Sequence, residues 1–204
     1  MTRLQPMKRI FIAIPVYQYP TPECMESVIN LVGIFRNKYD LTVRLVSGYT
    51  AEVARTKSVE AFLATQCDYL LFVDSDVVIS ETVVDKLIEA DKDAVTAIYH
   101  KKSLTVQHSE VYRIADGKRF EAYPTAEVPQ TLFEITACGF GCILLRRDAV
   151  RKVVEATKGV PFRFVQGEVY ISEDIFFCNE LSKLGIKIWA DGSAVCGHVG
   201  KFLF

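Results

Sequence analysis

The sequence predicts an α/β protein: one domain on a mainly parallel central sheet that becomes mixed in its C-terminal half. Three observations carry this. Two short, uninterrupted apolar runs, at residues 10–14 and 69–73, have the length and composition of strands buried on both faces. Stretches with apolar residues at helical spacing alternate with such runs from residue 9 to residue 100. The chain has 204 residues, 50% apolar and 24% charged, which suffices for one sizeable core and marks a folded globular protein.

The first strand lies in residues 9–16, carries Ile10, Phe11, Ile12, Ala13 and Ile14, and ends at Pro15. A loop rich in Pro and Tyr follows at 17–22. Residues 23–37 form a helix whose apolar stripe is Met25, Val28, Ile29, Val32 and Phe35. A second strand at 41–46 is closed by Ser47-Gly48. Residues 50–65 make a second helix, with Val53, Ala54, Val59, Phe62 and Leu63 facing inward. The third strand is 68–78. Ser80 caps a third helix running to about Asp91, and Glu81 suits its first turn, where the helix dipole favours negative charge. A fourth strand occupies 94–100. This order is that of a Rossmann-like parallel sheet.

Beyond residue 100 the pattern changes. Runs at 111–114 and 119–123 flank Ala115-Asp116-Gly117-Lys118, where Asp-Gly signals a hairpin. A strand at 131–135 follows, then the loop Cys138-Gly139-Phe140-Gly141-Cys142 leading into Ile143-Leu144-Leu145. Residues 148–157 are helical and 161–169 form a loop or short strand. A last helix at 172–184 has Gly185 as its C-cap. A last strand spans 186–190, and residues 194–200 trail off. No internal repeat or linker divides the chain.

Net charge is −1, so no broad basic surface marks a binder of nucleic acid or of a membrane surface. The first ten residues are polar and basic, unlike a signal peptide. No window reaches the roughly 18 apolar residues of a membrane span. The expectation is a cytoplasmic protein whose apolar end, Phe202-Leu203-Phe204, docks on the core or makes a peripheral contact with a partner or membrane. The cysteines Cys24, Cys67, Cys138, Cys142, Cys178 and Cys196 lie mostly in apolar segments, with no Cys-x-x-Cys pair. Buried free thiols are expected, with Cys138–Cys142 or Cys178–Cys196 as alternative bridges.

Chemistry concentrates at the end of the third strand. Asp74 and Asp76, two residues apart, project to one side of an extended chain. They stand at the carboxyl end of a parallel strand, where open α/β sheets bind ligands. Neighbouring carboxylates repel unless a cation stands between them, and Mg²⁺ commonly takes one or two carboxylates plus substrate phosphates. A solvated Asp-Ser-Asp turn is the plainer reading. No Gly-x-Gly-x-x-Gly and no phosphate-loop Lys follows the first strand, so a bound phosphate has to be held through a cation.

Glu173 and Asp174 follow Ser172 at a helix start, where both suit the first turn; alternatively one of them points into the cleft as a general base. His198, between glycines after the last strand, offers an imidazole to Mn²⁺. His100 and His108 lack such a setting. Arg55, on a helix beside the cleft, contacts either a phosphate or a surface carboxylate.

In their order these features resemble a GT-A fold glycosyltransferase of the family 2 type. The matching pieces are Ile14-Pro15-Val16-Tyr17, Ala54-Arg55, Val73-Asp74-Ser75-Asp76, Gly139-Phe140-Gly141 leading to Leu144-Leu145-Arg146-Arg147, Glu173-Asp174 and His198. They span about residues 10–200. The resemblance implies a single GT-A domain over 1–204, with a nucleotide-sugar-binding half at about 8–100 and an acceptor and catalytic half at about 101–204. Asp74, Ser75 and Asp76 would be its Asp-x-Asp motif, with Asp76 on Mn²⁺ or Mg²⁺, Asp74 nearer the sugar nucleotide or also on the metal, and His198 completing the metal site. Pro15, Val16 and Tyr17 would flank the nucleobase, and Arg55 would line the donor site. The 139–141 loop would shape the acceptor site, and Asp174, with Glu173 beside it, would supply the catalytic base of an inverting enzyme.

The implied donor is a UDP- or GDP-linked sugar, and the implied acceptor is a glycan, lipid or protein hydroxyl. Two departures stand out. Leu45-Val46-Ser47-Gly48 lacks the acidic residue that often follows the second strand, which leaves the nucleobase open. The Gln-x-x-Arg-Trp motif of processive synthases is absent, Trp189 standing in Ile-Trp-Ala-Asp, which favours single addition. The rival readings are a sugar-nucleotide pyrophosphorylase of related fold, a haloacid-dehalogenase-like phosphatase using the Asp74-Ser75-Asp76 pattern, and a non-catalytic sugar-nucleotide-binding module.

Overall fold

The computed structural model describes residues 7–103, 105, 107–115, 119–167 and 170–200. Expectations for the chain start at 1–6, the turn at 116–118, residues 168–169 and the apolar end at 202–204 lie outside the described residues. The first half runs β1 (Lys8–Val16), α1 (Pro22–Phe35), β2 (Tyr39–Ser47), α2 (Ala51–Leu63), β3 (Tyr69–Val73), β4 (Val77–Val78), α3 (Glu81–Glu89) and β5 (Ala94–Ile98). The second half runs β6 (His108–Ala115), β7 (Arg119–Pro124), β8 (Leu132–Ile135), β9 (Ala137–Cys138), β10 (Cys142–Arg146), α4 (Arg147–Ala156), α5 (Glu173–Lys183), β11 (Ile188–Val195) and β12 (Gly197–His198).

The main sheet has the order β2-β1-β3-β10-β5-β11-β8. β1 is parallel to β2 and β3, and β11 is parallel to β5. β10 is inserted antiparallel between β3 and β5, and β8 lies antiparallel beside β11. The expected fold class, α/β on a mainly parallel sheet, is therefore present, and strands from before and after residue 100 interleave in it. A three-stranded sheet, β7-β6-β9, contains the expected hairpin, with Ile114 opposite Phe120. β12 and β4 form a separate antiparallel pair.

Alternation within the buried strands sorts the core onto two faces. Ile10, Ile12, Ile14, Leu71 and Val73 pack with α1 and α3. Phe11, Ala13, Leu70 and Phe72 pack with α2, α4 and α5. Burying each such side chain contributes ~1.5–3 kcal/mol, which is why β3 is apolar at every position.

Two helix faces differ from expectation. Thr21 caps α1 by accepting the Cys24 N–H at 3.2 Å, and Pro22 opens the helix. That start turns Cys24, Val28, Leu31 and Phe35 inward and leaves Ile29 and Val32 exposed. In α2 the inner face takes Arg55 and Ser58, and Val53 is exposed. The six cysteines are free and buried, so neither expected bridge forms. Their thiols are neighbours in another pairing, Cys138 with Cys178 and Cys142 with Cys196. Among the described residues no helix is long and apolar enough to cross a membrane.

Candidate active site at the end of β3

β3 ends at Val73, and residues 74–77 turn. The Val77 N–H donates to the Asp74 carbonyl at 3.0 Å, so the backbone is no longer extended. Three segments pin this turn. Asp74 N–H donates to Gly141 O at 3.0 Å, Thr21 N–H to Ser75 O at 2.7 Å and Val199 N–H to Asp76 O at 2.7 Å. The expectation that Asp74 and Asp76 share one side of a strand is corrected accordingly: the turn sends their side chains to different partners.

Asp74 goes inward to Arg55. The guanidinium is 5% exposed and lies over the Phe72 and Phe140 rings, 5.5 and 5.6 Å from their centroids. Its Nη2 is 3.0 Å from Asp74 Oδ1, and its Nε is 3.4 Å from Glu173 Oε1 and 3.3 Å from Asp174 Oδ1. A planar fork of donors suits such a convergence of carboxylates. Arg55 is thus a buried counter-charge rather than a surface partner. Burial pushes the Asp74 carboxyl above the usual carboxylate range, and Arg55 opposes that rise.

Glu173 and Asp174 open α5, as expected. Asp174 Oδ2 accepts the Phe140 N–H at 3.2 Å. Its Oδ1, though near Arg55, accepts no hydrogen bond in the structure. Burial pushes the Asp174 carboxyl up to about 7, against the pull of Arg55 and with added repulsion from Glu173.

Asp76 turns outward. Lys102 Nζ bonds its Oδ2, and His198 Nε2 stands 3.4 Å from its Oδ1. Partial burial works against ionisation, but the contacts with His198 and Lys102 outweigh it and hold the carboxyl at about 2. The β12–β4 pair sets this geometry by placing His198 opposite Val77. His198 Nδ1 lies 2.7 Å from the His100 carbonyl, which can only accept, so Nδ1 carries a proton. In the neutral ring, Nε2 therefore aims its lone pair at the Asp76 carboxylate. That contact calls for a proton or a metal cation between the two.

Among the described residues no group of three or more His, Cys, Asp or Glu side chains is arranged to hold a metal. Asp74, Asp76 and His198 are not gathered as one ligand set, because Asp74 is taken by Arg55. Asp76 and His198 do meet, and their carboxylate and imidazole are donor types that could hold Mn²⁺ or Mg²⁺ beside phosphate oxygens.

The expected donor-side residues do come together. Pro15, Val16, Tyr17, Arg55, Asp74, Ser75 and Asp76 line one cleft of ≈ 220 Å³, which Tyr49, Ala51 and Ala54 complete. A larger hollow beyond β2, between Arg44 and Glu60, brings no carboxylate pair together. Tyr17 and Tyr49 are exposed at the cleft, at 78% and 46%.

Sequence reasoning missed Tyr49, Lys102 and Tyr99. Tyr49 had a readable signal: an aromatic directly after a strand's carboxyl end and before a helix cap. Lys102 had none, since its reach to Asp76 depends on where β5 lies in the sheet. Tyr99 explains the Gly-Phe-Gly loop. Its hydroxyl accepts the Gly141 N–H at 2.9 Å, and a Cβ on Gly139 or Gly141 would come within 2.3 or 2.5 Å of its ring end. Its ring also meets His198 edge-on at 5.4 Å.

A scan against protein-family models finds no match, and a search of curated proteins finds none. Among solved structures the chain is similar to A197 from STIV, with a TM-score of 0.59 and 21% identity over 95% of this chain and 86% of that one. It is less similar to 4-diphosphocytidyl-2C-methyl-D-erythritol synthase from Anaerococcus prevotii DSM 20548, at a TM-score of 0.48 and 16% identity over 88% and 85% of the two chains. A glycosyltransferase involved in glycosylating the major capsid of PBCV-1 follows, at 0.42 and 14% over 76% and 66%. The last two superpose too loosely to carry an argument. At this identity the first establishes a likeness of fold, which is the Rossmann-like α/β architecture described above.

Proposed function

We propose that the chain is a metal-dependent glycosyltransferase. It moves a sugar from a nucleoside-diphosphate sugar to an acceptor hydroxyl, with inversion and one addition at a time. The observation that carries this is the division of its carboxylates into two environments. Asp76 is strongly ionised at the cleft beside His198, whereas Asp174 is poised at about 7 behind it. Carboxyl groups pushed apart in this way take separate acid–base and charge-stabilising roles.

The donor nucleoside lies in the cleft with its base against Tyr17 and Tyr49, and its diphosphate points toward Asp76. Asp76 and His198 would hold Mn²⁺ or Mg²⁺, which when bound neutralises charge on the leaving diphosphate. Asp174 takes the acceptor hydroxyl's proton as general base, while the Phe140 N–H orients its Oδ2. Arg55 holds Glu173 and Asp74 beside it through its Nε and Nη2. Attack from the side opposite the leaving group inverts the anomeric centre.

The rivals lack matching residues. A pyrophosphorylase wants a Gly-rich basic loop after β1, where this chain has Val16-Tyr17-Gln18-Tyr19-Pro20. A phosphatase would need Asp74 as a free nucleophile, and Asp74 is bound to Arg55.

The test is binding of UDP and GDP with and without Mn²⁺, followed by calorimetry and thermal shift. Wild type should bind a nucleoside diphosphate in a Mn²⁺-dependent way, and Asp76→Ala and His198→Ala should lose that dependence. Wild-type behaviour in both variants would overturn the site.

A further inference from the structure

We propose that Lys102 makes the cation and the nucleoside diphosphate bind as a unit, by neutralising Asp76 in the free protein and turning its charge to the diphosphate when both arrive. This rests on the reading of Asp76 and His198 as the cation's ligands.

Local charge at the cleft mouth underlies this coupling. Asp74 is turned inward to the buried Arg55, 3.0 Å away. Asp76 is the remaining carboxylate facing the outer cleft, and Lys102 bonds its Oδ2. A bare dication therefore meets a seat whose acidic charge is already balanced, with an ammonium group beside it. Like charges this close oppose one another. A diphosphate changes the balance, because it brings enough negative charge to pair with both cations.

The two basic residues differ in the way this role needs. Arg55 is fixed by three carboxylates and two aromatic rings and is 5% exposed, so it cannot change partner. Lys102 carries a compact charge on a flexible stem, and its side chain is 33% exposed at the mouth of the site. Its backbone is nonetheless held. Lys101 N–H donates to His108 O at 2.9 Å, and Ser103 N–H donates to Lys101 O at 2.8 Å. Lys101 is turned to the Tyr112 ring, 5.1 Å from its centroid, so Lys102 alone of this pair faces Asp76.

Coupled binding is reciprocal: the factor by which nucleotide tightens the cation equals the factor by which cation tightens nucleotide. Removing the Lys102 charge should shrink that factor from both sides. The experiment titrates Mn²⁺ alone, then UDP and GDP at saturating Mn²⁺, into wild type, Lys102→Met, Lys102→Arg and Asp76→Ala. Lys102→Met keeps the stem and its packing. It should bind Mn²⁺ alone about tenfold more tightly than wild type, and the diphosphate about tenfold more weakly. Lys102→Arg, which keeps the charge, should stay near wild type in both.

Unchanged Mn²⁺ affinity in Lys102→Met, with Mn²⁺ binding lost in Asp76→Ala, would overturn the role of Lys102 and leave the metal seat standing. Wild-type Mn²⁺ and nucleotide binding in Asp76→Ala would overturn both.

Discussion

Asp174→Asn should separate stability from activity in opposite directions across the pH range. The folded carboxyl sits at about 7, against an ordinary value of 3.8. A raised pKa means that the folded state prefers the protonated form. Its stabilising contribution is fully present below about 3.8 and is lost as pH rises through about 7. At about 1.4 kcal/mol per pKa unit the full range is of the order of a few kcal/mol, more than half of it between pH 5 and pH 8.

Asparagine has nearly the same shape and does not titrate. The stability of wild type minus that of Asp174→Asn should therefore fall by about 2–3 kcal/mol from pH 5 to pH 8. Groups remote from Asp174 titrate in both proteins and cancel in the difference. Urea unfolding followed by fluorescence of Trp189, the single tryptophan, reads it directly. Parallel stability profiles for the two proteins would refute the placement of a strained, ionisable carboxyl at this position. The same variant should turn over ~10²–10⁴-fold more slowly while nucleotide binding stays near wild type.

Other changes test the neighbouring parts. Arg55→Met removes the counter-charge shared by Asp74, Glu173 and Asp174 and should cost ~3–5 kcal/mol at neutral pH; the loss should shrink in acid as the freed carboxyls protonate, and an unfolding midpoint equal to wild type at pH 8 would contradict the hub. Gly141→Ala puts a Cβ 2.5 Å from the Tyr99 ring, so it should lower stability by ~1–3 kcal/mol in thermal unfolding. A neutral result there would mean that Tyr99 moves freely. Tyr49→Ala, at an exposed position, should leave the fold intact and weaken nucleoside diphosphate binding by the ~1–3 kcal/mol of a lost base stack. Equal affinity in that variant would place the base elsewhere.

Much of the frame was legible because buried strands have an unmistakable composition. The run Tyr69–Val73 reads as a central strand, and Ser80 and Ser172 do stand at the starts of α3 and α5, although neither hydroxyl makes the expected cap hydrogen bond. What the sequence does not carry is neighbourhood in the sheet. The run 143–145 reads as a strand, but nothing in it says that β10 enters antiparallel between β3 and β5. The Asp pair was legible as chemistry and misleading as geometry, since its shared direction depended on an extended backbone that one hydrogen bond from Val77 to Asp74 removes. The joining of Arg55 to Asp174, across 119 positions in the numbering, follows from helix packing and leaves no local trace. β12 is two residues long, too short for any periodicity, yet it carries His198 to Asp76.

The reversed direction of β10 also decides which edge of the molecule can be altered safely. A strand running with the majority gives the cleft the loop that follows it, whereas a strand running against them gives the loop that precedes it. Residues 138–141 therefore reach the cleft, and the end of β10 emerges at the far rim. There Arg146 N–H meets Asp93 O at 2.9 Å and Arg147 N–H meets Asp68 O at 3.0 Å, both just ahead of strands whose other ends face the site. A label, tether or surface charge placed on Asp148, whose side chain is 73% exposed, sits on that opposite rim, a full strand length from the chemistry. It offers a handle for immobilising the protein with its cleft left open.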